Sequence, residues 1–197
     1  MKKGSKRNWP AMVAALALAT VLAGVVVAAG GKAPVMVFTN DGPQGKVWVN
    51  VDLTRRRLTE PYVPMIVAIL NNDAKPILLD RNALRLIDAD GQEIPMATLR
   101  EVRSGYKKLN FDWRTLNAQG MPFGTRLGAD KYVQSRFFPT MSGGGAIAID
   151  HVQIPPSYWT VDLFYFKRPG GLAEGRPVLL EAAPKGWKEP IRVKIQL

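Results

Sequence analysis

Cysteine is absent from this 197-residue chain, and histidine occurs once, as His151. Without thiols there is no disulfide framework, no cysteine-based zinc site, no catalytic thiol and no lipid-accepting cysteine. A single imidazole rules out a histidine-rich metal cluster. No G-x-S-x-G nucleophile elbow occurs. The glycine run Ser142-Gly143-Gly144-Gly145 lacks the Lys-Ser/Thr and helix that a phosphate cradle needs, so it reads as a loop. A Ser-His-Asp hydrolase would require His151 as its base with Asp150 or Asp162 nearby, but an activated serine is missing. Asp88-Ala89-Asp90-Gly91 opens like a calcium loop, yet the twelfth position is Leu99, which cannot ligate. The reading assigns no catalytic residue, no cofactor site and no metal ligand.

Charge is missing from another stretch. Ala11 to Ala29 run without an ionisable side chain, behind a short basic segment holding Lys2, Lys3, Lys6 and Arg7. This is the layout of a secretory signal, with small residues at a plausible cleavage point around Ala28-Ala29-Gly30. A run of this length is also just enough to span a bilayer as a helix, with Trp9 at the interfacial position and the charges on the cytoplasmic side. Residues 1–33 therefore read as a signal peptide or an N-terminal membrane anchor. In either case residues 34–197 form an extracytoplasmic domain of the cell envelope, in contact with the inner membrane or secreted to the periplasm.

What is present is a basic, proline-punctuated chain. Of 27 basic residues, four lie within the first nine positions, and the remaining 23 still exceed the 16 acidic residues by seven. Such a balance favours anionic partners. The export segment and the lack of a recognised motif argue against nucleic acid. Fifteen prolines break long helices and favour strand boundaries. Val35 to Thr39 reads as a strand and Asn40 to Pro43 as a turn. Val47, Val49, Val51 and Leu53 alternate with polar residues, the period of a half-buried strand. Met65 to Leu70 is continuously apolar and follows Pro64, which predicts a central strand with Ile66 and Ile69 both buried. Further strands are expected at Pro76 to Leu79, Leu84 to Leu86, Glu93-Ile94, Tyr132 to Phe138, Ala146 to Val152, Trp159 to Phe166, Val178 to Glu181 and Ile191 to Leu197. The last carries a basic outer face.

One segment differs. Leu99, Val102, Tyr106, Leu109, Trp113 and Leu116 recur at helical spacing, with Thr98 and Glu101 placed for a capping box and Gly120 for a stop. Ser104-Gly105 allows two shorter helices. A Gly/Pro-rich loop is expected through Gly128. The fold class is thus mainly β: an antiparallel β-sandwich with a helical insertion near 98–119 and an N-terminal hydrophobic helix. The stretches Met65 to Pro95 and Ser142 to Pro155 resemble the immunoglobulin-like domain of uncharacterised bacterial secreted proteins and lipoproteins. They share a core strand ending in Asn, a Leu-x-Asp-x-Asp-Gly hairpin and a Gly-rich lead-in to a strand ending in Pro. The resemblance implies a fold and a compartment, and no activity; Ala97 to Thr140 falls outside it.

The candidate binding residues are Arg55, Arg56 and Arg57, together with Lys107 and Lys108 beside Arg100, Arg103 and Arg114. They suit an anionic lipid or wall polymer, and the arginine run is expected on an exposed loop. The expected function is a non-enzymatic envelope module that binds a protein or an anionic component. Alternatives are an accessory subunit of a membrane complex, its Ala-rich helix faces and Gly24 packing against other spans, and a hydrolase using scattered carboxylates such as Asp112, Asp130 and Asp150.

Overall fold

The computed structural model describes residues 36–140 and 147–197, with backbone alone for 119–127. The signal or anchor segment and the Ser142 to Gly145 loop lie outside the described residues. The described part is mainly β, with several sheets and no closed barrel. One sheet has the order β1-β2-β3-β9-β7. Its strands are β1 (Val37–Gly42), β2 (Gly45–Asn50), β3 (Tyr62–Asn71), β9 (Tyr158–Lys167) and β7 (Lys131–Tyr132). A second has the order β11-β10-β5-β6, from β5 (Leu84–Ile87), β6 (Glu93–Ile94), β10 (Pro177–Ala182) and β11 (Ile191–Gln196). A third pairs β4 (Ile77–Asp80) with β8 (His151–Ile154).

All neighbouring strands are antiparallel except β7, which runs parallel to β9. The longest pairing, β3 with β9, aligns Tyr62 with Lys167 and Leu70 with Trp159. Both strands are buried on both faces. Ile66 and Ile69 have no exposed surface, as a continuous apolar run predicts. The inward residues of the two larger sheets join one hydrophobic cluster, from Val47 and Ile66 to Leu180 and Ile195.

Side chains fasten β11 to the first sheet. The Asn40 amide donates to Arg192 O at 2.8 Å, and Arg55 donates to Gln196 O at 2.8 Å. On the outer face of the second sheet, Glu181 lies between Arg85 and Arg192, so the basic face expected of β11 is partly neutralised.

Several boundaries differ from the sequence reading, each for a local reason. Asn40 to Gly42 continue β1 in register with β2, which moves the turn to Pro43-Gln44. Leu53 belongs to a short helix, α1 (Asp52–Arg55). That departure leaves the start of β3 with β9 on one side only, since β2 pairs only from Ile66 onward. Pro64, which has no amide donor, is therefore tolerated inside β3. Its carbonyl accepts from the buried Thr54 hydroxyl at 2.7 Å.

The segment after Tyr132 does not pair as a strand. Phe137 N instead donates to the Asp162 carboxylate at 2.9 Å, and the Ser135 hydroxyl donates to Val161 O at 3.0 Å. Side-chain bonds there replace a ladder. The helical segment is two helices, α2 (Leu99–Gly105) and α3 (Leu109–Leu127). The expected stop at Gly120 and the loop after it are overturned, because α3 runs through both Gly120 and Pro122. An interior proline removes one amide donor at a cost of about 3 kcal/mol, and the helical bonds on either side carry the backbone through. Among the described residues no helix is long and apolar enough to cross a membrane.

Candidate anionic-surface site

Helix α1 forms because Asn50 ends β2 and its side-chain oxygen accepts from Asp52 N at 2.9 Å. Leu53 and Thr54 face the core, which turns the next three residues toward the surface in different directions. Arg55 is half-buried. It donates to Gln196 O and reaches the Met36 sulfur at 3.5 Å, while Val51 N donates to Met36 O at 2.8 Å. Arg56 points outward, 62% exposed, and pairs with Asp52 at 3.0 Å. Arg57 is only 14% exposed and faces Asp112 at 3.6 Å. The run does not form the fully exposed loop expected of it, because Arg57 has a buried counter-ion and Arg55 a carbonyl partner. The turn after Arg57 is pinned by Gly171, at φ +76, where a Cβ would fall 1.9 Å from Leu58 O. Leu172 N donates to that same oxygen at 2.7 Å.

Lys107 and Lys108 reach the same place from the other direction. Helix α2 starts with the capping box that Thr98 and Glu101 predict, and its Val102 and Tyr106 are buried. The chain becomes extended at Tyr106, where Gly105 passes so close to Tyr62 that a Cβ would lie 3.0 Å from its hydroxyl. The exposed Lys107 and Lys108 occupy the turn into α3. Lys108 pairs with Glu60, just past the arginine run. Phe111, on the first turn of α3 and 52% exposed, lies under the Arg57 guanidinium at 5.3 Å. Two basic runs that are distant in sequence thus meet around one aromatic side chain. Arg103 turns away to Pro139 O at 3.2 Å.

Beneath this surface sits Asp112, with no exposure. One carboxylate oxygen accepts from the Tyr106 hydroxyl at 2.6 Å and from the Tyr165 hydroxyl at 3.3 Å. The other accepts no hydrogen bond, and neither does Arg57 Nε donate one. Burial raises the Asp112 pKa, against the opposing pull of Tyr106, Arg57, Tyr165 and Lys108. Burial and the nearby carboxylate push the Tyr106 and Tyr165 hydroxyls upward. Asp112 was legible only as one scattered carboxylate. A sharper signal was available, since it lies three residues after Leu109 and four before Leu116, on the apolar stripe itself.

The other candidate residues separate. His151 is exposed on β8 opposite Asp80. With Asp150, Arg81 and Asn82 they line one open cleft. Both acids are committed: the Asp80 carboxylate caps Ala83 N at 3.0 Å, and Asp150 pairs with Arg81. Asp162, buried on β9, and the exposed Asp130 lie elsewhere in the sequence of elements. Asp88 forms the hairpin expected of it. It accepts from Asp90 N and Gln92 N at 3.0 and 2.9 Å, and its other oxygen accepts from Arg168. Among the described residues no three His, Asp or Glu side chains gather as metal ligands.

No family model matches this chain, and no curated protein matches it either. Among solved structures, it is similar to a Bacillus subtilis protein, YcdA, described as a candidate lipoprotein. The two are 10% identical with a TM-score of 0.40, over 79% of this chain and 39% of that one. This chain therefore spans about two fifths of YcdA, and a likeness that remote assigns neither family nor function.

Proposed function

We propose that this chain is a non-enzymatic cell-envelope protein. In this reading an immunoglobulin-like β-sandwich, residues 34–197, is tethered or secreted by residues 1–33 and meets an anionic envelope component, lipid head groups first. The observation that carries the reading is the approach of the two basic runs: Arg57 lies over exposed Phe111, and Lys108 pairs with Glu60 just past the arginine run. An exposed aromatic ring beside cations suits the boundary of a head-group layer.

The test is co-sedimentation of residues 34–197 with vesicles of phosphatidylglycerol and phosphatidylcholine, or of phosphatidylcholine alone. The exposed cations are the ones to remove, as Arg56→Gln, Lys107→Gln and Lys108→Gln together. Each contributes about 1 kcal/mol near an anionic bilayer, so the triple variant weakens binding over roughly a hundredfold. The attraction fades at 1 M salt, where the screening length is about 3 Å. Equal binding by both forms, or no preference for the anionic vesicles, refutes the reading. Tethering has its own check: membrane-derived protein starting at Met1 or Lys2 supports an anchor, and a start near Gly30 to Lys32 supports secretion.

A hydrolase reading has one observation on its side, the shared cleft of Asp80, Asp150 and His151. Its acids are tied to a backbone cap and to Arg81, so neither carboxylate stands free to act as the general base.

A further inference from the structure

We infer that Asp112 is the positioning residue of the basic surface: its carboxylate restrains Arg57 against α3, and a proton on it releases that positive charge to an anionic membrane. The inference rests on the reading that this end of the fold meets such a surface, and it names how that contact is regulated.

The geometry is specific. Asp112 is fully buried, Arg57 is 14% exposed, and they face each other at 3.6 Å without a formed hydrogen bond. The guanidinium already lies over Phe111, which is itself half in solvent, so it reaches the surface by turning along that ring. Among the described residues, the neighbours that could share the charge are these. The hydroxyls of Tyr106 and Tyr165 hydrogen-bond Asp112 from the α2–α3 junction and from β9. Tyr62 of β3 packs edge-on against Tyr106. Lys108 lies close enough to stabilise the carboxylate, and its own partner is Glu60.

The ion pairs give the consequence. Arg56, Arg57 and Lys108 pair with Asp52, Asp112 and Glu60. A proton on Asp112 breaks the Arg57 pair, so the charge gained at the surface is that of Arg57. Burial raises the pKa of Asp112, so it takes up its proton before ordinary carboxylates do as pH falls. Binding to anionic vesicles therefore strengthens on mild acidification, by about fivefold for one added charge.

The experiment measures binding of residues 34–197 to phosphatidylglycerol vesicles from pH 7.5 to pH 4.5. This part contains the hydrophobic core of the described residues, and each variant is first checked for a cooperative thermal transition. Wild type gains about fivefold toward acid pH. Asp112→Asn binds at the acid level throughout and loses that gain. Arg57→Gln keeps Asp112 and removes the charge it restrains; it binds weakly and also loses the gain. An acid gain that persists unchanged in Asp112→Asn, or in Arg57→Gln should the first variant not fold, overturns the inference. Absence of binding by every form at every pH fails the underlying reading instead.

Discussion

Asp162 and Asp112 are both buried, one on β9 and one on α3, and their surroundings differ in kind. Asp162 receives the backbone amides of Phe137 and Leu163 at 2.9 and 2.8 Å. Those donors are fixed by the chain around the β3–β9 pair. Asp112 is met by two phenols and one guanidinium, all of them side-chain donors, and it keeps an oxygen without a donor. A carboxylate held by main-chain amides secures a structural joint, here the segment that replaces a strand after β7. A carboxylate met only by side chains beneath a basic surface has no main-chain amide to fix it. The strand pair is the region tied by the backbone, and the basic end is tied by side chains.

The largest effect expected lies in the strand pair. Ile69 is fully buried on β3, so Ile69→Ala should destabilise by about 2–5 kcal/mol in denaturant unfolding. A loss below about 0.5 kcal/mol would mean that the β3–β9 pair is not the centre of the core.

The next effect separates the aspartates by pH. Burial raises the Asp162 pKa from 3.8 to about 6, against the pull of the Phe137 and Leu163 amides. The folded state therefore prefers the protonated acid. That preference is fully present below pH 3.8 and is lost as pH rises through about 6. Stability should increase on going from pH 7 to pH 5, with an upper limit of order 3 kcal/mol across the whole window. Asp112 acts in the same direction, so Asp162→Asn should reduce the rise and leave a remainder. An unchanged rise in that variant assigns the whole effect to the basic end.

A smaller effect tests the cap that sets α2, and with it the approach to Lys107. Thr98→Ala removes the side-chain oxygen that accepts from Glu101 N at 3.2 Å, at a cost of about 1 kcal/mol. Glu101 contributes with the opposite pH sign. Lys167, the Thr98 amide and the Thr98 hydroxyl lower its pKa from 4.5 to about 2. Its contribution is present above pH 4.5 and is lost as pH falls toward about 2. Thermal unfolding of Thr98→Ala at pH 6 and pH 3 should differ from wild type more at the higher pH.

Local periodicity made much of the fold legible. The first half of the alternation Val47, Val49, Val51 and Leu53, the run Met65 to Leu70 and the Thr98–Glu101 box all report a residue's own neighbours along the chain. They stand in the structure as β2, β3 and the start of α2. What escaped depends on partners distant in sequence. Ser135 and Phe137 have an extended, apolar look, yet their hydrogen bonds go to Val161 and Asp162. The site followed the same division. Both basic runs could be read from composition, but not that they meet, since Lys108–Glu60 and Arg57–Phe111 are tertiary contacts. Three adjacent arginines looked equivalent for the same reason.

That lost equivalence supports the smallest prediction. Arg56 is 62% exposed and pairs with Asp52, one helical turn earlier, at 3.0 Å. The order is the favourable one, with the acid nearer the helix start, but solvent screens such a pair and both side chains lose freedom in making it. Arg56→Gln should therefore change stability by about 0.5 kcal/mol or less. Arg57→Gln, one residue on, leaves Asp112 without its cation in a buried site, and should cost at least about 1 kcal/mol. Parallel denaturant titrations at pH 7 compare the two. Costs of equal size would mean that Asp112 does not restrain Arg57, and the basic end would then be an ordinary solvated face.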